Sequence, residues 1–266
     1  MKVSIYATLI VVFAAHLPAA TITLSGQIRD FCAPSITASC TTFDDFEGII
    51  TGVITGSVSS TLNASGLPNF TGGFSSATNT ANFAKWFTDT PGFNTSAPFT
   101  LTLSETQPGS QVYTYSNNAF FPLDGSMLGN QGRPHNYHFT LRLSGLTDFK
   151  ASDTFNFAAD DDLWVYVGGK LAVDLGGVHG AATRTITGAD LMLLGLMENT
   201  VYSFDVFFAE RHTIDSAFVI TASSRFSSVP EPSTWVSIFC GLGAIALGRR
   251  KASHLPAAPT SAWLER

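Results

Sequence analysis

From residue 99 onward the chain alternates. Phe99, Leu101 and Leu103, then Val112, Thr114 and Phe120-Phe121, then Tyr137, Phe139, Leu141 and Leu143 keep apolar side chains two residues apart, with Gly, Pro, Asn or Asp at the ends of each run. A period of two predicts strands with one buried face. Ile22, Leu24 and Ile28 predict an earlier strand over Thr21 to Arg29. Phe155 with Phe157, the run Tyr202, Phe204, Val206 and Phe208, and the pair Phe218 and Ile220 predict later ones. Gly48 to Thr80, rich in Gly, Ser and Thr, suits short strands or an ordered meander better than a helix. Helical spacing is confined to Phe83, Trp86 and Phe87 and to a stretch from Ile186 to Leu196 that reads as mildly helical or as an extended apolar turn. The pattern predicts an all-β fold, an antiparallel β-sandwich with short helical turns.

The sharpest local signal runs from Asp160 to His179. Leu163, Val165 and Val167 share one strand face and Trp164 and Tyr166 the other. Gly168-Gly169 supplies the positive φ angles of a two-residue turn, and Leu171, Val173 and Leu175 form the return strand. Asp160, Asp161 and Asp162 therefore stand at the open end of a hairpin, where Asp174 or the Gly176-Gly177 loop can approach them. Adjacent carboxylates repel, and a hard cation with oxygen ligands relieves the repulsion. This makes Asp160, Asp161, Asp162 and Asp174 a candidate calcium set, with a solvated acidic turn as the alternative. Trp164 and Tyr166 are candidates for stacking on a ligand ring, one set of the hairpin being core, and His179 is a further candidate ligand contact.

Charge narrows the partners. Between Thr21 and Val229 nine Lys and Arg face 18 Asp and Glu, a net charge of −9, which does not suit nucleic acid. The 22 Phe and low charged fraction describe an exported β-rich protein with an aromatic core. Cys32 and Cys40 enclose a short loop that an oxidising compartment would close as a disulfide, while Cys240 stays unpaired inside an apolar run.

Both ends agree with export. Met1-Lys2, an apolar run from Val3 to Ala15, and Leu17-Pro18-Ala19-Ala20 have the layout of a signal peptide over residues 1–20. A single domain is expected over 21–228. Val229-Pro230-Glu231-Pro232-Ser233 then precedes an apolar segment from Trp235 to Leu247 and the basic cluster Arg249-Arg250-Lys251. The positive cluster places a tail, 252–266, on the cytoplasmic side and the domain outside. Over 229–251 this order resembles the PEP-CTERM sorting signal of Gram-negative bacteria. The resemblance implies that an exosortase recognises Pro230, Glu231 and Pro232, and that an apolar helix holds the protein in the membrane before processing. The destination would be the outer surface or extracellular matrix. A plain C-terminal anchor is the alternative.

Six blocks resemble the fibro-slime domain. They are Ile28-Arg29-Asp30-Phe31, Asp44-Asp45-Phe46-Glu47, Phe120-Phe121-Pro122-Leu123-Asp124-Gly125, His135-Asn136-Tyr137-His138-Phe139-Thr140, the Asp160 to His179 run, and Phe207-Phe208-Ala209-Glu210-Arg211-His212-Thr213. The resemblance implies a protective-antigen-type β-sandwich. In the sugar-binding adhesins of that superfamily two neighbouring aspartates hold a calcium ion that ligates sugar hydroxyls; here they would be Asp160 and Asp161. Asp162 stands where many relatives carry glycine.

The remaining chemistry is sparse. His135 and His138, three apart, face opposite sides of a strand and are expected to be structural. Glu210-Arg211 suggests a buried ion pair bracing the last long strand. Neither Gly-x-Ser-x-Gly nor a Cys-His pair is present. The expected function is non-catalytic: an exported adhesion or matrix module that binds extracellular polysaccharide or another glycan, with calcium as the candidate link. The alternatives are a purely structural surface or biofilm component and a glycan-cleaving enzyme using Asp160 and Glu210.

Overall fold

The computed structural model describes residues 19–33, 41–73 and 78–227. Two units divide the chain, 1–228 and 229–266. The second lies outside the described residues, and with it the Pro230-Glu231-Pro232 signal, the apolar helix expected before the basic cluster, and the cytoplasmic tail. Residues 1–18 of the expected signal peptide and Cys40 lie outside them too; Cys32 is disulfide-bonded. No helix among the described residues is long and apolar enough to cross a membrane.

The fold is nearly all β. In chain order it comprises β1 (Thr21–Phe31), α1 (Thr80–Phe83), β2 (Asn94–Glu105), β3 (Tyr113–Asn117), β4 (Phe139–Asp148), β5 (Thr154–Asp160), β6 (Asp162–Val167) and β7 (Lys170–Leu175). These are followed by β8 (Ala182–Thr187), α2 (Gly188–Leu193), β9 (Tyr202–Glu210), β10 (Ala217–Ala222) and β11 (Arg225–Ser227). Every strand pairing is antiparallel. The strands follow the order β7-β6-β9-β4-β1-β2-β3-β10-β5-β8, with β11 on β4.

This continuous sheet folds over on itself. β2 and β3 pair only at Ser104 with Thr114 and Glu105 with Tyr113, and there one half passes into the other. Leu24, Leu141, Leu163, Val165, Val206 and Phe208 from the first half pack against Phe155, Phe157, Phe218 and Ile220 from the second. Alternation creates this core, since every second side chain of each strand points inward. Phe120 joins the halves, its ring 5.8 Å from Phe208 and 5.3 Å from Phe218. It does so from the turn after β3, not from the strand the alternation suggests, because Phe120 N–H bonds to the Ser216 carbonyl instead of continuing a ladder.

The first half is buried on its other face as well. Trp164, Tyr166, Phe207 and Ala209 there meet Phe31, Phe43, Phe46, Val58, Phe83, Trp86 and Phe87. Phe31 comes from β1 itself; the rest of the cover is the loop with Phe43 and Phe46, the Gly-, Ser- and Thr-rich stretch, α1 and the turn after it. The Gly-, Ser- and Thr-rich stretch is the expected meander, attached by isolated bridges at Ile54–Gly176, Val58–Phe70 and Thr61–Lys170. α1 starts at Asn79, whose side chain accepts from the Asn82 N–H. β8 has no counterpart in the sequence pattern, because within it Ile186 alone is buried and polar Thr and Arg fill the rest.

Candidate functional site

The carboxylate run sits where the chain crosses from one half of the sandwich to the other. β5 ends at Asp160 in the second half and β6 begins at Asp162 in the first, with a cis peptide bond between Asp160 and Asp161. Two more crossovers reach the same end: 176–181, from β7 to β8, and 211–216, from β9 to β10. Together with the 47–54 segment they enclose a cleft of about 130 Å³ lined by Ile50, Asp160, Asp161, Val178, His179, Gly180, His212, Ile214 and Asp215.

Backbone hydrogen bonds fix these segments. Glu47 and Gly48 N–H donate to the Arg211 carbonyl at 2.7 and 3.1 Å, and Thr51 and Gly52 N–H donate to the Val178 carbonyl at 2.9 and 3.0 Å. Gly177 has φ +100°, and a Cβ there would stand 2.5 Å from the Gly52 carbonyl, so this close approach requires glycine. The Glu47 carboxylate accepts from Arg133 at 2.8 Å and from the Thr213 N–H at 2.8 Å, with His138 Nε2 at 3.4 Å. Burial opposes its charge, but the His138 and Thr213 contacts outweigh it and hold Glu47 well below the usual carboxylate range.

The four aspartates expected as one set are divided. Asp161 is buried and faces the cleft; its Oδ1 accepts from the His179 N–H and its Oδ2 from the Arg211 N–H, both at 2.9 Å. Asp160 lines the cleft and is only partly buried. Asp162 turns away, fully buried, to bind Arg211 Nε at 2.6 Å and the Gly177 N–H at 2.5 Å. Asp174 accepts from Trp164 Nε1 at 3.0 Å and from the Gly56 N–H at 2.7 Å, on a different cleft. Asp160 and Asp161 thus share the cleft, whereas Asp162, the first residue of β6, is drawn to Arg211 and Asp174 lies on β7. Among the described residues no three His, Cys, Asp or Glu side chains form a metal-holding group.

Trp164 and Tyr166 are fully buried. Trp164 packs 5.7 Å from Phe83 and Tyr166 5.9 Å from Phe207, and the Tyr166 hydroxyl donates to the Ser59 carbonyl at 2.8 Å. The sequence suggested these rings as ligand platforms; the 43–93 cover instead leaves neither a face for a ligand. His179 does line the cleft, but its ring is held against backbone, Nδ1 2.9 Å from the Gly180 oxygen and Nε2 3.3 Å from that of Leu175. Glu210 and Arg211 do not pair with each other. Neighbours on a strand point to opposite faces, so Arg211 meets Asp162 and stacks 4.6 Å over Trp86, while Glu210 is buried on the other side. His135 and His138 precede β4 and lie on no strand, yet they also part: His135 bonds Asp124 at 2.7 Å and His138 faces Glu47.

The electrostatics of this end are lopsided. Burial pushes Asp161 up to about 7, with Arg211 opposing the shift and Asp162 adding to it. Burial also raises Asp160, and it raises Glu210 well above the usual carboxylate range, with Asp161 contributing. Arg211 is held charged by Asp162 and Asp161 despite its own burial. The Arg211 guanidinium thus answers Asp162 and Asp161, not Asp160 or Glu210. Glu210 Oε2 is buried with no hydrogen-bond partner among the described residues. Carboxylate oxygens gathered in this way suit a hard cation. Asp161 can take part because a carboxylate offers about four lone-pair sites, of which its two N–H bonds use two. Asp215, which no sequence motif marked, belongs to the same lining.

Fold and cleft define an all-β antiparallel sandwich with a carboxylate-bearing cleft at its crossover end. Residues 107–227 match the PA14 domain. The chain is homologous to the psi proteins of Dictyostelium discoideum: it is 39% identical to Protein psiQ over 186 residues, covering 65% of this chain and 19% of psiQ. Protein psiR is 38% identical over 191 residues, 66% of this chain and 19% of that protein, and Protein psiD 34% over 217 residues, 73% and 42%. The chain therefore spans about a fifth of psiQ and psiR and under half of psiD. Among solved structures a PA14 sugar-binding domain from an RTX adhesin is similar at 16% identity and a TM-score of 0.32, covering 79% of this chain and 100% of that one.

Proposed function

We propose that this chain is an exported, non-catalytic adhesion module that binds glycan in the crossover-end cleft, with calcium held at Asp160 and Asp161. The observation that carries the reading is the placement of these two carboxylates in one cleft, where the two N–H bonds to Asp161 leave about two of its lone-pair sites open. A calcium ion would draw on Asp160 and Asp161 and fill its shell with backbone carbonyls, water or sugar hydroxyls. The bound ion would supply a Lewis-acidic contact for vicinal hydroxyls. The chain's own residues orient it: the His179 and Arg211 N–H groups fix Asp161, and Asp162 keeps Arg211 out of the cleft. The PA14 match and the name of the RTX adhesin domain agree with glycan as the ligand class.

The fibro-slime and PEP-CTERM resemblances belong to the same proposal. The domain would act on the outer surface or in the extracellular matrix of a Gram-negative bacterium, released by an exosortase at Pro230-Glu231-Pro232. Calorimetry with calcium, followed by a glycan array with and without chelator, tests the site. The expected result is calcium-dependent glycan binding that Asp161→Asn and Asp160→Asn each abolish. Absence of both calcium and glycan binding, or unchanged calcium affinity in both variants, refutes it. The mass of the exported protein tests the processing step: an intact C-terminus contradicts it.

A further inference from the structure

The rim of the carboxylate cleft is apolar. Ile50 on the 47–54 segment and Ile214 on the 211–216 crossover both line it, and they are 58% and 63% exposed. Ile49, at 70%, and Val53, at 46%, extend the apolar surface along the first segment. None of the four belongs to either core cluster. Exposed branched aliphatics beside Asp160, Asp161, His179, His212 and Asp215 make an unusual mixture, since they gain nothing from water and leave the cleft half greasy, half charged.

The two side chains are also held in place. The segment carrying Ile50 is tied to both neighbouring crossovers by the Glu47, Gly48, Thr51 and Gly52 hydrogen bonds, and Ile214 follows Thr213, which donates to Glu47. Such walls are preorganised, so burying them against a ligand costs little ordering. Among the described residues no Phe, Tyr or Trp lines this cleft. Ring stacking is therefore not the means by which it would grip a sugar. What fits is a ligand with adjacent oxygens on one edge and a methyl group on another.

Resting on the proposed glycan-binding reading, we infer that Ile50 and Ile214 are specificity-determining residues and that the cleft prefers 6-deoxyhexoses to their parent hexoses. A 6-deoxy sugar presents a methyl group to the isoleucines and keeps its ring hydroxyls for the carboxylate side. The parent sugar presents a hydroxymethyl group whose hydroxyl loses water against the same walls without a partner.

The experiment uses the full chain with calcium and two stereochemically matched pairs, L-fucose with L-galactose and L-rhamnose with L-mannose, measured by calorimetry or competition. In at least one pair the deoxy member should bind roughly four- to tenfold more tightly, the scale of one buried methyl group plus one spared hydroxyl. The double variant Ile50→Ser, Ile214→Ser should lose that preference while keeping its calcium affinity and unfolding midpoint. Equal affinities within both pairs, or a preference that survives in the double variant, overturn the inference and leave calcium-dependent glycan binding standing. If no sugar binds with or without calcium, the functional reading fails and this inference with it.

Discussion

The two faces of strand β6 are both buried, yet they are sealed in different ways. Leu163, Val165 and Val167 face the inside of the sandwich and meet regular strands, so a hydrogen-bonded ladder fixes everything that packs on them. Trp164 and Tyr166 face outward and meet irregular chain between Phe43 and Phe93, which has no ladder. That cover is fastened by polar side chains instead. Asp45 accepts from Trp86 Nε1 at 2.8 Å and from Asn82 at 3.1 Å, and it also receives the Thr78 hydroxyl. Asp174 accepts from Trp164 and Tyr166 donates to Ser59. A regular face can be held by backbone and dispersion alone, whereas an irregular one needs directional contacts at its aromatic edges.

The largest effects should come from emptying either face. Phe208→Ala on the inner side and Trp164→Ala on the outer side should each cost about 3–5 kcal/mol, the range for truncating a large buried aromatic. Urea titration followed by far-ultraviolet circular dichroism and by tryptophan fluorescence measures both. Coincident curves with similar losses mean that the cover folds with the sheet. A loss under about 1 kcal/mol for Trp164→Ala would instead make the cover a loose lid and separate the faces energetically.

This contrast also explains what the sequence could convey. Alternation marked the strands and the inner core, since a period of two is a property of single residues, and Gly168-Gly169 marked its turn, with φ values of 55° and 73°. The same period assigns Trp164 and Tyr166 to one face but is silent about what lies over it, because the cover has no period of its own. Asp160 to Asp162 stood out as charge; their separation into cleft and core depends on the Arg211 side chain arriving from another crossover. Strand geometry already forbade a Glu210–Arg211 pair. Ile50, Ile214 and Asp215 lie outside every periodic run and every motif, and only the meeting of three crossovers with the 47–54 segment gives them a role.

A second test concerns the polar anchor at the inner rim. Asp30 is fully buried on β1, where Asn136 Nδ2 donates to it at 3.0 Å and the Leu128 N–H at 2.8 Å. Burial outweighs these bonds and raises its carboxyl from 3.8 to about 7. The folded state then binds the proton more tightly than the unfolded chain. The resulting stability is fully present below about pH 4 and is lost as the pH rises to about 7, with a slope approaching about 1.4 kcal/mol per pH unit between. Urea midpoints from pH 4.5 to 7 should fall in the native protein more steeply than in Asp30→Asn. Identical pH profiles would mean that Asp30 stays ionised when buried.

The smallest effect probes the outer cover at its edge. Lys85 Nζ stands 4.3 Å from the ring centroid of Phe93 and 5.4 Å from that of Phe43, and it donates to Asn82 at 3.3 Å. Lys85→Met keeps a long apolar stem over the same rings and removes only the charge. If directional contacts hold the irregular face, this substitution should lower stability by about 0.5–1 kcal/mol, the scale of an exposed cation–π pair. The loss should shrink against a Phe93→Leu background, because the ring that rewards the charge is then gone. A Lys85→Met protein as stable as the native one would show that dispersion suffices on the outer face too, and the distinction between the two seals would vanish at that edge.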